Sequence, residues 1–194
     1  ASGCLDGDSQ GSDALPASSN LPRQLASGLE SVAWDAEDGV AWWAEFATTY
    51  QGRNSFLPNN QAATDHIAAS VAELGLEVAV VEYPVCAPVA PPQTGPACPP
   101  ADQPPAVIHV VVGHKAGLRD SAHAIALGAH YDNQATVEGA YDNGSGTAMV
   151  FNVCMQLSQL PLETALLCLF FDSEELGALG SGALGSGAWP CGFA

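Results

Sequence analysis

Two stretches decide the fold: AIALGAHYD, residues 124–132, and ALLCLFFDSEE, residues 165–175. Each opens as an uninterrupted apolar run of strand length and ends abruptly in charged residues. Such a run leaves no polar side for water, so each predicts a strand covered on both faces. Between them, residues 145–160 place Met149, Val150, Val153, Cys154, Leu157 and Leu160 on one side of a helix that Pro161 closes. Strand, helix, strand with covered strands predicts an α/β domain with a largely parallel sheet. Upstream, Ala63, Ile67, Val71 and Leu74 repeat at helical spacing over 61–74, and Gly75 supplies the stop. Residues 76–83 and 107–112 read as two further strands. Residues 21–50 are Ala- and Trp-rich and helical in character, with Trp34, Trp42, Trp43 and Phe46 as packing residues.

The chain has 194 residues and 47% hydrophobic content, enough for one domain with a real core. Four Lys and Arg stand against 21 Asp and Glu, a net charge of −17. That surface repels phosphate backbones and anionic membranes, which excludes nucleic-acid binding. No apolar run approaches the roughly 18–20 residues of a transmembrane helix. The opening ASGC, residues 1–4, resembles the end of a bacterial lipoprotein signal with Cys4 as a lipid anchor; an arbitrary starting point would give the same residues. Residues 1–22 are expected to form a disordered leader or tether ahead of a domain over 23–194. The protein is expected to be exported, as an extracellular, periplasmic or outer-membrane lipoprotein. Cys86 and Cys98 bracket a Pro-rich loop that can close as a disulfide in that setting. Cys154 and Cys168, inside apolar patterns, are expected to be buried free thiols. The absence of any Cys-x-x-Cys pair excludes a zinc ribbon.

The chemistry lies where the apolar runs stop. His130 and Asp132 follow one strand, and Glu174 and Glu175 follow another. Asp142 lies in GAYDNGSG, residues 139–146, which opens the helix between them. In open α/β sheets, sites form beyond the carboxyl ends of strands, so topology brings these strings together. Taken singly, each has a structural explanation: a satisfied histidine, a turn with a helix cap, a solvated Glu pair. Together they crowd carboxylates into one cleft, and no Lys or Arg lies between 120 and 194. Like charges that close raise each other's pKa, and a divalent cation relieves the repulsion. One imidazole with carboxylates favours zinc over calcium, which prefers all-oxygen cages. Asp132 is placed to accept the second imidazole N–H and fix the ring. Glu174 and Glu175 point apart on an extended backbone, so one can hold metal while the other faces water as general base. Gly128, Gly144 and Gly146 suit close backbone approach in such a cleft.

These three ordered strings resemble the signature of the co-catalytic zinc aminopeptidase family, which also includes glutamate carboxypeptidase and glutaminyl cyclase relatives. The resemblance spans roughly 105–181. It implies a phosphorylase/hydrolase-like zinc exopeptidase fold, a mostly parallel or mixed sheet flanked by helices. It implies His130, Asp142 and Glu175 as metal ligands, with Asp142 shared by two zinc ions. It assigns Asp132 as the orienting residue and Glu174 as the catalytic base. The implied reaction removes N-terminal residues from peptide substrates. The family also uses a later Asp and a later His as ligands. Here no His follows His130 and no Asp follows Asp172. The tail repeats ALGSG at 178–182 and 183–187 before ending in WPCGFA. The expectation is therefore a truncated zinc peptidase domain with an incomplete ligand set and impaired turnover. The alternatives are a glutaminyl cyclase-like zinc acyltransferase and a non-catalytic pseudo-peptidase domain.

Overall fold

The computed structural model describes residues 36–85, 87–88, 96–97, 106–119, 123–134 and 137–186. The expected tether over 1–22, Cys4, Trp34, the Cys86–Cys98 pairing and Cys191 lie outside the described residues. In chain order the elements are α1 (Ala36–Thr49), α2 (Pro58–Glu73), β1 (Glu77–Val85), β2 (Ala87–Pro88), β3 (Pro96–Ala97) and β4 (Ala106–Lys115). They continue with β5 (Ala124–His130), α3 (Gly146–Ser158), β6 (Ala165–Phe171) and α4 (Leu179–Gly185). Pro58 opens α2, where its missing N–H costs nothing, and Gly75 at φ 76° lets the chain turn into β1.

β1, β4, β6 and β5 form one sheet in that order, and β2 pairs with β3 in a separate ribbon. The β1–β4 and β4–β6 pairs are antiparallel, and β5–β6 is parallel. The sheet is thus mixed, with its one parallel pair at the two motif-bearing strands. Residues 166–170 of β6 are all buried, as a continuous apolar run requires. β5 differs from expectation. It forms the sheet edge among the described residues, and Ala124, Ile125 and Ala126 are exposed rather than covered.

The larger core cluster joins Phe46, Ile67, Val71, Val111, Phe151, Leu166 and Phe170; the smaller joins Tyr83, Ile108, Val110, Val112, Leu169 and Leu184. Each fully buried aliphatic or Phe side chain contributes on the order of 1.5–3 kcal/mol. The tail repeat folds as α4, with Gly180 and Leu184 buried. Two further expectations are corrected. Met149 is 68% exposed, because α3 turns Thr147, Ala148, Phe151, Asn152 and Cys154 inward instead. Cys154 and Cys168 are not free thiols: they form a disulfide joining α3 to β6 across a Cα–Cα distance of 6.3 Å. His66, on α2, packs among Trp42, Phe46 and Tyr50.

Candidate functional site

Register places the site. His130 pairs with Phe171 across the parallel strands, so both chains leave the sheet at the same edge. The Tyr131 N–H donates to Phe171 O at 2.9 Å and extends the pairing by one step. β4 runs the other way, so His109 lies at that edge too and its carbonyl accepts the Asp172 N–H at 3.1 Å. The GAYDNGSG string arrives through a wide turn, Ala140–Ser145, in which Asp142 and Asn143 leave helical geometry. Asn143 Oδ1 accepts the Gly146 N–H at 3.0 Å, and Thr147 Oγ1 donates to His130 O at 2.9 Å, tying the start of α3 to the end of β5.

His130, Asp132, Asp142 and Glu174 converge. His130 Nδ1 stands 3.3 Å from Asp132 Oδ1. On the other side of the ring, Nε2 stands 3.3 Å from Asp142 Oδ1 and 3.7 Å from Glu174 Oε2. Asp132 is fully buried, and its two oxygens accept the backbone N–H groups of Glu174 at 3.0 Å and Glu175 at 3.2 Å. The Glu175 side chain turns outward and accepts from Gln134 Nε2 at 3.0 Å. It still lines one cleft with Asp142, Gln134, Val137, Gly139, Ala140 and Tyr141.

Burial works to lower the His130 pKa, but the carboxylates of Asp132, Glu174 and Asp142 outweigh it and the imidazole is held above its ordinary value. A proton on this ring therefore relieves the same crowding that a cation would. Two donors of one tetrahedral zinc, each at about 2.0–2.1 Å, stand about 3.3–3.4 Å apart. The spacing of His130 Nε2 and Asp142 Oδ1 matches that of such a pair. Glu175 shares the cleft of Asp142 without joining the pair, and among the described residues no three His, Cys, Asp or Glu side chains are placed to hold a metal ion.

Sequence reasoning missed Arg53 and Asp172. Arg53 is fully buried and donates through Nε to Tyr131 O, and through its terminal nitrogens to Glu138 O at 3.2 Å and to Gly139 O. The cluster is therefore not without a basic neighbour, although Arg53 meets the backbone around it. Burial lowers the Arg53 pKa to about 10, against the opposing pull of Asp132. Asp172, 1% exposed, accepts from Ser55 Oγ at 2.7 Å and Asn60 Nδ2 at 2.9 Å. Burial holds its pKa above the ordinary value despite those donors. Ser173 follows at φ 62°, a left-handed conformation that costs a non-glycine residue free energy.

The mixed sheet with its flanking helices is a fold shared with solved zinc exopeptidases and glutaminyl cyclases. A Zn-dependent exopeptidase from Parabacteroides distasonis superposes with a TM-score of 0.66 at 18% identity, over 83% of this chain and 59% of that one. A glutaminyl cyclase from Porphyromonas gingivalis superposes with 0.65 at 18%, over 83% and 56%. The segment 108–189 matches the model of Peptidase family M28. Aminopeptidase YwaD of Bacillus subtilis is 42% identical over 53 residues, 27% of this chain and 12% of that protein. Probable lipoprotein aminopeptidase LpqL of Mycobacterium tuberculosis is 36% identical over 74 residues, 38% and 14%. The chain thus covers a small part of the matched relatives and little more than half of the superposed structures.

Proposed function

We propose that this chain carries part of a zinc-dependent metallopeptidase that removes N-terminal residues from peptides. The observation that supports this most is the arrangement around His130: Asp142 at ligand spacing on Nε2, Glu174 next to it, and buried Asp132 behind. His130, Asp142 and Glu175 would hold the metal, and the family resemblance implies a second ion sharing Asp142. Zinc supplies Lewis-acid polarisation of the substrate carbonyl and makes water a better nucleophile at neutral pH. Glu174, half-exposed beside His130, takes a proton from the attacking water and returns it to the leaving amine. Asp132 keeps the imidazole and the Glu174–Glu175 backbone in register. The substrate amine is drawn to the carboxylates at the cleft lined by Asp142 and Glu175. The lipoprotein relative and the Cys154–Cys168 disulfide support an exported protein.

The test is a zinc titration of the metal-free chain together with hydrolysis of amino-acid p-nitroanilides. Zinc binding is expected, with weak hydrolysis because few donors are assembled. Glu174→Gln should keep the binding and lower hydrolysis about 100-fold or more. A chain that binds zinc no better than magnesium overturns the reading. The glutaminyl cyclase neighbour gives the alternative its support, and pyroglutamate formation from a peptide with N-terminal glutamine would decide for it.

A further inference from the structure

One short segment, residues 53–60, touches all three strings of the site, and no chemistry assigned above uses it. Arg53 donates to Tyr131 O in the first string, and to Glu138 O and Gly139 O at the entry of the second. Asn54 Nδ2 donates to Asn133 O at 3.0 Å. Ser55 and Asn60 both donate to Asp172 Oδ1 in the third string, and Ser173 Oγ donates to Ser55 Oγ at 2.8 Å. Asn60 also donates to Arg53 O at 3.1 Å, which closes the segment on itself. The fit around the guanidinium is tight: a Cβ on Gly144 would sit 2.7 Å from Gly139 O and 3.3 Å from Arg53 Nη2. Arg53, Ser55, Asn60, Asp172 and Ser173 are all buried.

We propose that residues 53–60 act as a brace behind the site, with Arg53 and Ser55 as positioning residues that fix the spacing of His130, Asp142 and Glu174. The physical reason lies in what the strings lack. Each is a loop beyond the end of an element, and no hydrogen bond of the sheet reaches from Gly139 to Asp172. A planar fork of fixed donors can hold several carbonyls at set distances, which a flexible ammonium cannot. Ser55 secures the other side by anchoring both residues that precede Glu174. The Arg53 bonds to Tyr131 O and Gly139 O and the bonds of Ser55, Asn60 and Ser173 are buried, so losing one leaves an unsatisfied group and frees the loop it held. The brace rests on the zinc hydrolase reading only for its purpose; its mechanical part stands apart from it.

The experiment uses the full chain with Arg53→Lys, Arg53→Met, Ser55→Ala and Ser55→Thr. Amide exchange by NMR is the metal-free arm. Arg53→Lys should speed exchange at Tyr131, Gly144, Glu174 and Glu175 by about tenfold or more, while the β4 amides of Val110–Val112 keep wild-type rates. A purely structural loss would speed both sets alike. Cobalt, added alone, is the second arm. Ser55→Ala should weaken cobalt binding by about tenfold and alter its visible absorption, and Ser55→Thr should restore both. Ser55→Ala remains informative if Arg53→Met fails to fold. Folded Arg53→Lys and Ser55→Ala proteins with wild-type exchange at the four site amides overturn the brace, whatever metal does. Failure of the wild type to bind cobalt, with exchange changed as expected, overturns the hydrolase reading and leaves the brace standing.

Discussion

Asp132 holds more than an imidazole. Its oxygens each accept one backbone N–H from the adjacent glutamates, in a position with no exposed surface. Asp132→Asn keeps the size but presents one acceptor and one donor where two acceptors are needed. The amide N–H₂ would then face a backbone N–H. The expected cost is about 1–3 kcal/mol of stability, read from urea unfolding, together with loss of zinc binding. An Asn variant as stable as wild type would contradict this use of both oxygens. His66 makes a second prediction. Burial holds its pKa below the ordinary value, against the pull of Glu45 and Glu73. Its Nε2 is buried without a hydrogen-bond partner in the structure. A depressed histidine pKa means that the unfolded chain binds the proton first as pH falls. Its contribution to stability is therefore whole above about pH 6.5 and declines below it. Wild type minus His66→Phe stability should become more unfavourable from pH 7 to pH 5, and a flat difference would refute the assignment. Residues such as His130 and Glu174 were legible because their chemistry stands out at the ends of apolar runs. Arg53 and Asp172 were not, because their partners lie 78 and 117 residues away and Arg53 meets backbone carbonyls, which carry no sequence signature.

At the scale of elements, the apolar runs were read correctly as strands because runs as short as LLCLF, with no polar side, fit a covered sheet position better than a helix. Whether a strand is central or at an edge is a property of its neighbours, and the run AIALGA carries no trace of that. Pairing direction was hidden for the same reason: β4 inserts antiparallel between β1 and β6 from sequence positions that look like any other strand. The Cys154–Cys168 crosslink was missed because each cysteine suits an apolar core singly. It joins the helix that follows the Asp142 turn to the strand that leads to Glu174, closing a loop with a sequence separation of 14. A loop of about 15 residues gives about 3 kcal/mol of stabilisation through the unfolded chain. The oxidised protein should unfold at higher urea than the reduced one by an amount of that order. Peptide mapping after alkylation of denatured, unreduced protein tests the bond directly, and labelling of both cysteines would rule it out.

For the molecule as a whole, a net charge of −17 sets two effects of added cations against each other. Salt of any kind screens self-repulsion: the Debye length falls from about 30 Å at 0.01 M to about 8 Å at 0.15 M. The metal-free chain should therefore melt at higher temperature as sodium chloride is raised. That gain is diffuse and belongs to no residue. Specific binding adds a term that depends on one site, about 2.7 kcal/mol when free zinc exceeds its Kd a hundredfold. At fixed 0.15 M salt, micromolar zinc should raise the melting temperature further, whereas equal magnesium should not, because an imidazole beside carboxylates is a poor magnesium site. His130→Gln removes the nitrogen that faces Asp142 while leaving the net charge, with histidine neutral, unchanged. It should keep the sodium chloride response and lose the zinc response. If magnesium matches zinc, or if His130→Gln keeps the zinc shift, the cation is merely screening an acidic surface and the cluster at the end of β5 holds no metal of its own.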